Sequence, residues 1–176
     1  TIVSSFRAGD PEGTAKIYLK TNLLFFPEEM LVLIAILIAD DYLPFRQVLK
    51  DFLETANPEL RVVVQAANGR DALALLERNP VDVALIDIRM PIMDGVELCQ
   101  RMRKRWGESV GIITYTGLSS PHLTALALQA GADLHLIKPF ELFALKNAVI
   151  RLSKSRRSSD VAVTVSVGQG NRRISR

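Results

Sequence analysis

One cysteine and two histidines among 176 residues exclude several function classes at once. A single thiol, Cys99, cannot form an intrachain disulfide, which fits a reducing compartment. Its setting in VELCQRMRK puts it on a packed helix face, and no acidifying motif surrounds it, so it reads as structural rather than reactive. There is no Cys/His metal pattern and no glycine-rich nucleotide fingerprint. The longest apolar run, MLVLIAILIA at 30–39, is too short to cross a bilayer and lacks the basic start and small-residue cleavage site of a signal peptide. A soluble, cytoplasmic protein without membrane contact is expected.

What is present is globular. Hydrophobic residues make up 48% of the chain and charged residues 23%, enough apolar surface for one ordinary domain. The net charge of +3 is unevenly placed: residues 151–176 hold seven Lys/Arg and one Asp, so the rest of the chain is mildly acidic. A basic tail on an acidic body suits a linker or contact arm better than a DNA-reading surface.

Residues 1–29, broken by Gly9, Pro11, Gly13 and Pro27, form an extension without a regular pattern. From Met30 to Ser153 the pattern is regular. LVLIAILIADD reads as a strand buried on both faces. YLPFRQVLKDFLETAN then reads as a helix, with Pro44 in its first turn and Phe45, Val48, Leu49, Phe52 and Leu53 on one face. Further strands are LRVVVQAA, VDVALID, VGIITYT and LHLIK, alternating with helices in NGRDALALLERN, DGVELCQRMRKRW, PHLTALALQAGA (stopped by Gly131) and ELFALKNAVIRLSK. Arg101, Arg103, Lys104 and Arg105 are expected on a solvated helix face. Five strands alternating with five helices predict a doubly wound α/β fold, a five-stranded parallel sheet with helices on both faces. The tail 154–176 is basic, and the alternation of VAVTVSV predicts an extra strand over 161–167.

In such a fold the site lies beyond the carboxyl ends of the strands. Asp40-Asp41 end the first strand, Asp87 the third, Thr116-Gly117 the fourth and Lys138-Pro139 the fifth. Each has an ordinary structural reading: a cap, a turn residue, a solvated lysine. Their joint placement on one rim is harder to explain that way. Unit charges about 4 Å apart repel by roughly 4 kcal/mol at an effective dielectric of 20, so the acids require Lys138, a proton or a divalent cation to offset them. Oxygen ligands with open water positions suit magnesium.

These residues, with Met90-Pro91 and Asp94-Gly95 after Asp87 and Phe140 after Lys138-Pro139, resemble the receiver domain of a two-component response regulator. The spacings of 46 positions from Asp41 to Asp87, 29 on to Thr116 and 51 from Asp87 to Lys138 fit the resemblance. It implies a flavodoxin-like receiver fold with Asp87 as phosphoacceptor from a sensor histidine kinase, a phosphotransfer protein or a small phosphodonor. Asp41, Asp87 and the backbone carbonyl of Arg89 would hold Mg2+, with Asp40 acting directly or through water. Lys138 and the Thr116 hydroxyl would bind phosphoryl oxygens, and small Gly117 would leave room for the donor. Pro91 would restrict the loop, Gly95 would tolerate unusual backbone angles, and Met90 would pack beneath it. Thr116 and His135, the latter standing where the family commonly has an aromatic residue, would form the switch. The output would be changed protein–protein contacts, through a homodimer or an unidentified downstream target.

Rival readings share parts of this pattern. An aspartate-nucleophile phosphatase of the haloacid dehalogenase type would want a second aspartate where Arg89 stands. A flavin carrier would need no acid cluster and would need a phosphate loop. A receiver portion of a truncated DNA-binding regulator remains the main alternative, although the tail has no aromatic or motif support for nucleic-acid contact.

Overall fold

The computed structural model describes residues 33–167, with side chains through Arg157. Thus the 1–29 extension and the end of the basic tail lie outside the described residues. Ten elements follow in order: β1 (Ile34–Ala39), α1 (Leu43–Ala56), β2 (Leu60–Ala66), α2 (Gly69–Leu76), β3 (Val83–Asp87), α3 (Gly95–Trp106), β4 (Gly111–Thr116), α4 (Pro121–Gln129), β5 (Leu134–Ile137) and α5 (Leu142–Val167). All neighbouring strands pair in parallel, in the order β2-β1-β3-β4-β5. This is the doubly wound, flavodoxin-like sheet that the sequence predicts.

Local chemistry sets the helix starts. Asn68 accepts from the Asp71 N–H at 2.9 Å, Asp94 from Glu97 N–H at 2.8 Å and Ser120 from Leu123 N–H at 3.4 Å, each supplying an acceptor to a donor left over in a first helical turn. Pro44 and Pro121 sit in the first turns of α1 and α4, where a missing N–H costs nothing. Gly131, at φ +102°, turns the chain after α4.

All five residues of β3 are buried, and their alternation divides them between two cores. Ala84 and Ile86 pack with Leu98, Cys99, Met102 and Ala127 of α3 and α4; Val83 and Leu85 pack with Leu49, Leu53, Leu145 and Val149 of α1 and α5. Each fully buried large aliphatic contributes about 1.5–3 kcal/mol relative to exposure. Such covering on both faces makes β3 a rigid mount for whatever follows it.

Two expectations are corrected. The predicted strand over 161–167 is instead the end of α5, which runs on to Val167. A lone strand there would need a partner for its backbone groups, whereas continuing a helix satisfies them within the segment. The Arg103 guanidinium is also not solvated. It donates to the carbonyls of Gly131 (2.8 Å), Gly107 (2.9 Å) and Val110 (2.6 Å) and to Asp133 (2.9 Å), tying the end of α3 to the starts of β4 and β5. Packing also continues past Ser153, because Arg157 pairs with Asp82 at 2.9 Å and donates to the Leu33 carbonyl at 2.7 Å.

Candidate functional site

The predicted strand-end residues meet at the carboxyl edge of the sheet. Asp87 closes β3, and the Ile88 N–H donates to the Tyr115 carbonyl at 2.9 Å, holding the strand end beside β4. The Lys138 N–H donates to the Thr116 carbonyl at 2.8 Å, fixing the start of the lysine side chain beside the end of β4. From there its ammonium bridges two acids, with Nζ at 2.8 Å from Asp87 Oδ2 and 3.0 Å from Asp40 Oδ2. The other Asp87 oxygen accepts from the Arg89 N–H at 2.9 Å.

Burial raises the Asp87 pKa above the ordinary carboxylate value. Hydrogen bonds from Lys138 and the Arg89 N–H and the lysine's charge oppose the rise, and the nearby Asp40 charge adds to it. The net direction is upward, so desolvation outweighs the lysine.

The adjacent acids Asp40 and Asp41 have different places. Asp40 is fully buried and both its carboxylate oxygens are engaged, Oδ1 by the Tyr42 N–H at 2.8 Å and Oδ2 by Lys138. Arg46 donates to the Asp40 backbone carbonyl. Asp41 is exposed and lines an open groove of about 800 Å³ with Asp87, Arg89, Asp94, Gly117 and Lys138; Val96, Leu123 and Leu126 add apolar surface to it.

The loop after Asp87 turns for reasons only partly anticipated. Met90 is buried as expected, but the left-handed residue is Ile92, at φ +70°, not Gly95. Gly95 is required by proximity: a Cβ there would stand 2.3 Å from the Asp87 carbonyl oxygen. Gly117, by contrast, has open space where a side chain would go.

Thr116 and His135 lie apart from the groove lining. Thr116 is buried, and its hydroxyl accepts from the Leu118 N–H at 3.2 Å. His135 pairs in register with Thr114, and its Nδ1 is 2.9 Å from Thr114 Oγ1. Strand alternation places Thr114, Thr116 and His135 on the same sheet face. Burial lowers the His135 pKa, favouring neutral imidazole.

Sequence reasoning treated the site's aromatic floor as ordinary packing. Lys138 Nζ lies 4.1 Å from the Phe45 ring centroid and 4.6 Å from that of Tyr115. Phe45 carries a helix-face signal and Tyr115 a buried-strand signal, neither of which reveals that both rings meet the same lysine.

Comparison with known proteins identifies the family of the fold that carries these acids and the lysine. The family profile described as "Response regulator receiver domain" matches residues 36–150. The chain belongs to the response regulator receiver family. Receivers of this family are signalling domains of two-component systems. The chain is 34% identical over 114 residues to "Sporulation initiation phosphotransferase F" of Bacillus subtilis, covering 65% of this chain and 89% of that protein. It is 34% identical over 119 residues to "Probable transcriptional regulator ycf27" of Porphyridium aerugineum, covering 66% of this chain and 48% of the relative, so it spans about half that relative's length. A CheY-like receiver domain protein from Methanospirillum hungatei superposes with a TM-score of 0.66 at 28% identity, over 72% of this chain and 98% of that one.

The groove presents oxygen donors of the kind magnesium takes. Among the described residues, no three acidic, His or Cys side chains form a ready metal cage. Asp41 and Asp87 nevertheless line one groove with Arg89, whose carbonyl is a third candidate oxygen. Two carboxylates and a carbonyl fit an ion that retains several waters, as magnesium does, better than one needing an all-protein shell. Among the described residues no helix is long and apolar enough to cross a membrane.

Proposed function

We propose that Asp87 accepts a phosphoryl group from a histidine kinase, a phosphotransfer protein or a small phosphodonor, and that the resulting change alters the receiver's protein contacts. The supporting observation is the Asp87 carboxylate itself, mounted on a buried strand, opening on the groove and held by Lys138 at 2.8 Å and the Arg89 N–H at 2.9 Å. An Asp87 oxygen forms a bond to phosphorus as the donor–phosphorus bond breaks, and the departing donor keeps that bond's electron pair. Positioning and charge neutralisation supply most of the catalysis in such transfers.

Asp41 and Asp87, with the Arg89 carbonyl, would hold magnesium, and Asp40 would reach it through water because both its oxygens are engaged. When bound, magnesium supplies positive charge against the transferring group. Lys138 pairs with a phosphoryl oxygen, and the Thr116 hydroxyl can donate to another while still accepting from Leu118. Gly117 leaves the donor's approach open.

The test is intact mass after incubation with a small phosphodonor and magnesium. The expected result is gain of one hydroxylamine-sensitive phosphoryl group that Asp87→Asn abolishes. No gain, or a gain retained in Asp87→Asn, would overturn the reading. A second reading, control of a DNA-binding output, draws on the transcriptional-regulator name of the algal relative. Salt-dependent DNA binding that changes with phosphorylation would support it.

A further inference from the structure

Lys138 crosses an aromatic surface on its way to the acids. Its ammonium lies 4.1 Å from the Phe45 centroid and 4.6 Å from the Tyr115 centroid, within the range where a ring's negative face attracts a cation. Phe45 and Tyr115 meet edge to face, centroids 5.7 Å apart. Phe140 closes a triangle, 6.1 Å from Phe45 and 5.7 Å from Tyr115. The rings come from α1, β4 and the segment after β5, and Tyr115 is fully buried, so the surface is preorganised by three parts of the fold.

A lysine stem has many rotamers, and carboxylates alone would be a conditional anchor for it. On the proposed reading, Asp87 is the carboxylate whose charge and shape change when phosphorus arrives. The two rings do not change at that step.

We infer that Phe45 and Tyr115 are positioning residues that clamp the Lys138 ammonium beside Asp87, so that it meets the incoming phosphoryl group already in place. The inference rests on Asp87 being the acceptor and adds two residues that touch neither phosphorus nor metal. It accounts for a ring at position 45 in contact with the ammonium itself, where burial alone requires only apolar bulk.

The test replaces Phe45 in the full chain by mono-, di- and trifluorophenylalanine, which weakens the ring's attraction for cations in steps while nearly preserving shape. The rate of phosphoryl gain, at fixed phosphodonor and magnesium, is expected to fall stepwise, by about three- to tenfold at the trifluoro ring. Phe45→Tyr, which keeps a ring, is expected to stay within about twofold of the original. A rate that is flat across the fluorinated series overturns the clamp. NMR provides a readout independent of phosphoryl chemistry: without phosphodonor, ring currents are expected to shift the Lys138 Hε protons upfield, and Phe45→Leu to move them toward free-lysine values. If the unaltered chain gains no phosphoryl group, the acceptor reading fails, and the clamp is decided by that signal. Upfield protons then uphold the hold of the rings on the ammonium without its part in phosphoryl transfer, and free-lysine values overturn both.

Discussion

Gly95→Ala places the first atom of a side chain against backbone that carries the proposed acceptor. The new Cβ would stand 2.3 Å from the Asp87 carbonyl oxygen, 2.8 Å from Ile88 Cα and 3.0 Å from the Asp87 carbonyl carbon. No side-chain rotation relieves this, so the start of α3 or the end of β3 must move by about 0.7 Å to reach even the tightest ordinary contact. Overpacking of this kind costs about 1–3 kcal/mol, and weakening the 2.9 Å Gly95 N–H to Ile88 carbonyl bond adds about 1 kcal/mol. Alanine's helix preference returns up to about 1 kcal/mol. Because every obstructing atom is backbone, the upper part of the range applies, a net loss of about 2–3 kcal/mol or roughly 8–12 °C in melting temperature. Gly117→Ala is the control: its Cβ meets open space, so stability is expected within about 0.5 kcal/mol of the original. Urea and thermal unfolding followed by circular dichroism measure both. A Gly95→Ala protein as stable as the original would refute the claim that close approach, rather than backbone angle, requires this glycine.

Three further outcomes follow from groups whose surroundings are equally specific. Asp87→Asn is expected to raise the melting temperature at neutral pH by a few degrees. Burial raises the folded-state pKa of Asp87, so its ionisation opposes folding above that pKa. The advantage of Asn should shrink as pH falls toward the protonated range, and a lower melting temperature for Asp87→Asn at neutral pH would contradict this sign. The Cys99 thiol, pushed up to about 12 by burial, should react with a disulfide reagent at mildly alkaline pH only as fast as the chain opens, and rapid labelling of the native protein would contradict it. Arg103→Met keeps much of the stem's packing but removes the Asp133 pair and three carbonyl contacts, for an expected loss of about 2–4 kcal/mol in urea unfolding.

The fold was largely legible because its signals are local. Apolar runs such as VALID mark strands buried on both faces, Pro44 marks the first turn of α1 and Gly131 the turn after α4. Local signals mislead where a partner decides the outcome. VAVTVSV alternates like a strand yet continues α5, and Arg103 belongs to a charged helix yet serves the Gly131 carbonyl and the Asp133 carboxylate, 28 and 30 residues away. The site divides in the same way. Strand ends brought Asp40, Asp87 and Lys138 together as expected, but nothing in the pair Asp40-Asp41 says which acid turns inward to the lysine and which faces the groove. The rings of Phe45 and Tyr115 were legible only as core, because their meeting at one ammonium depends on the distance between α1 and β4.

The packing around the site is unequal, and that inequality predicts where a phosphoryl group would be felt. On the α1 side, Leu49 and Leu53 are fully buried and the aromatic triangle lies beneath Lys138. On the other side, α4 has a single fully buried residue, Ala127, and none of the four residues of β5 is fully buried. Fewer buried contacts oppose movement there. Thr116 and His135 face that side, and His135 touches Thr114, two residues before Thr116. If Thr116 is drawn toward a phosphoryl group, the displacement should therefore pass into α4 and β5 rather than α1. Hydrogen exchange should change on phosphorylation over 116–137 while α1 remains as protected as before. His135→Tyr, which loses the Thr114 contact, should gain the phosphoryl group at a similar rate but alter that exchange pattern. Loss of phosphorylation in His135→Tyr would count against a switch role for His135, and an equal change in α1 would count against the division of the site into a fixed side and a yielding one.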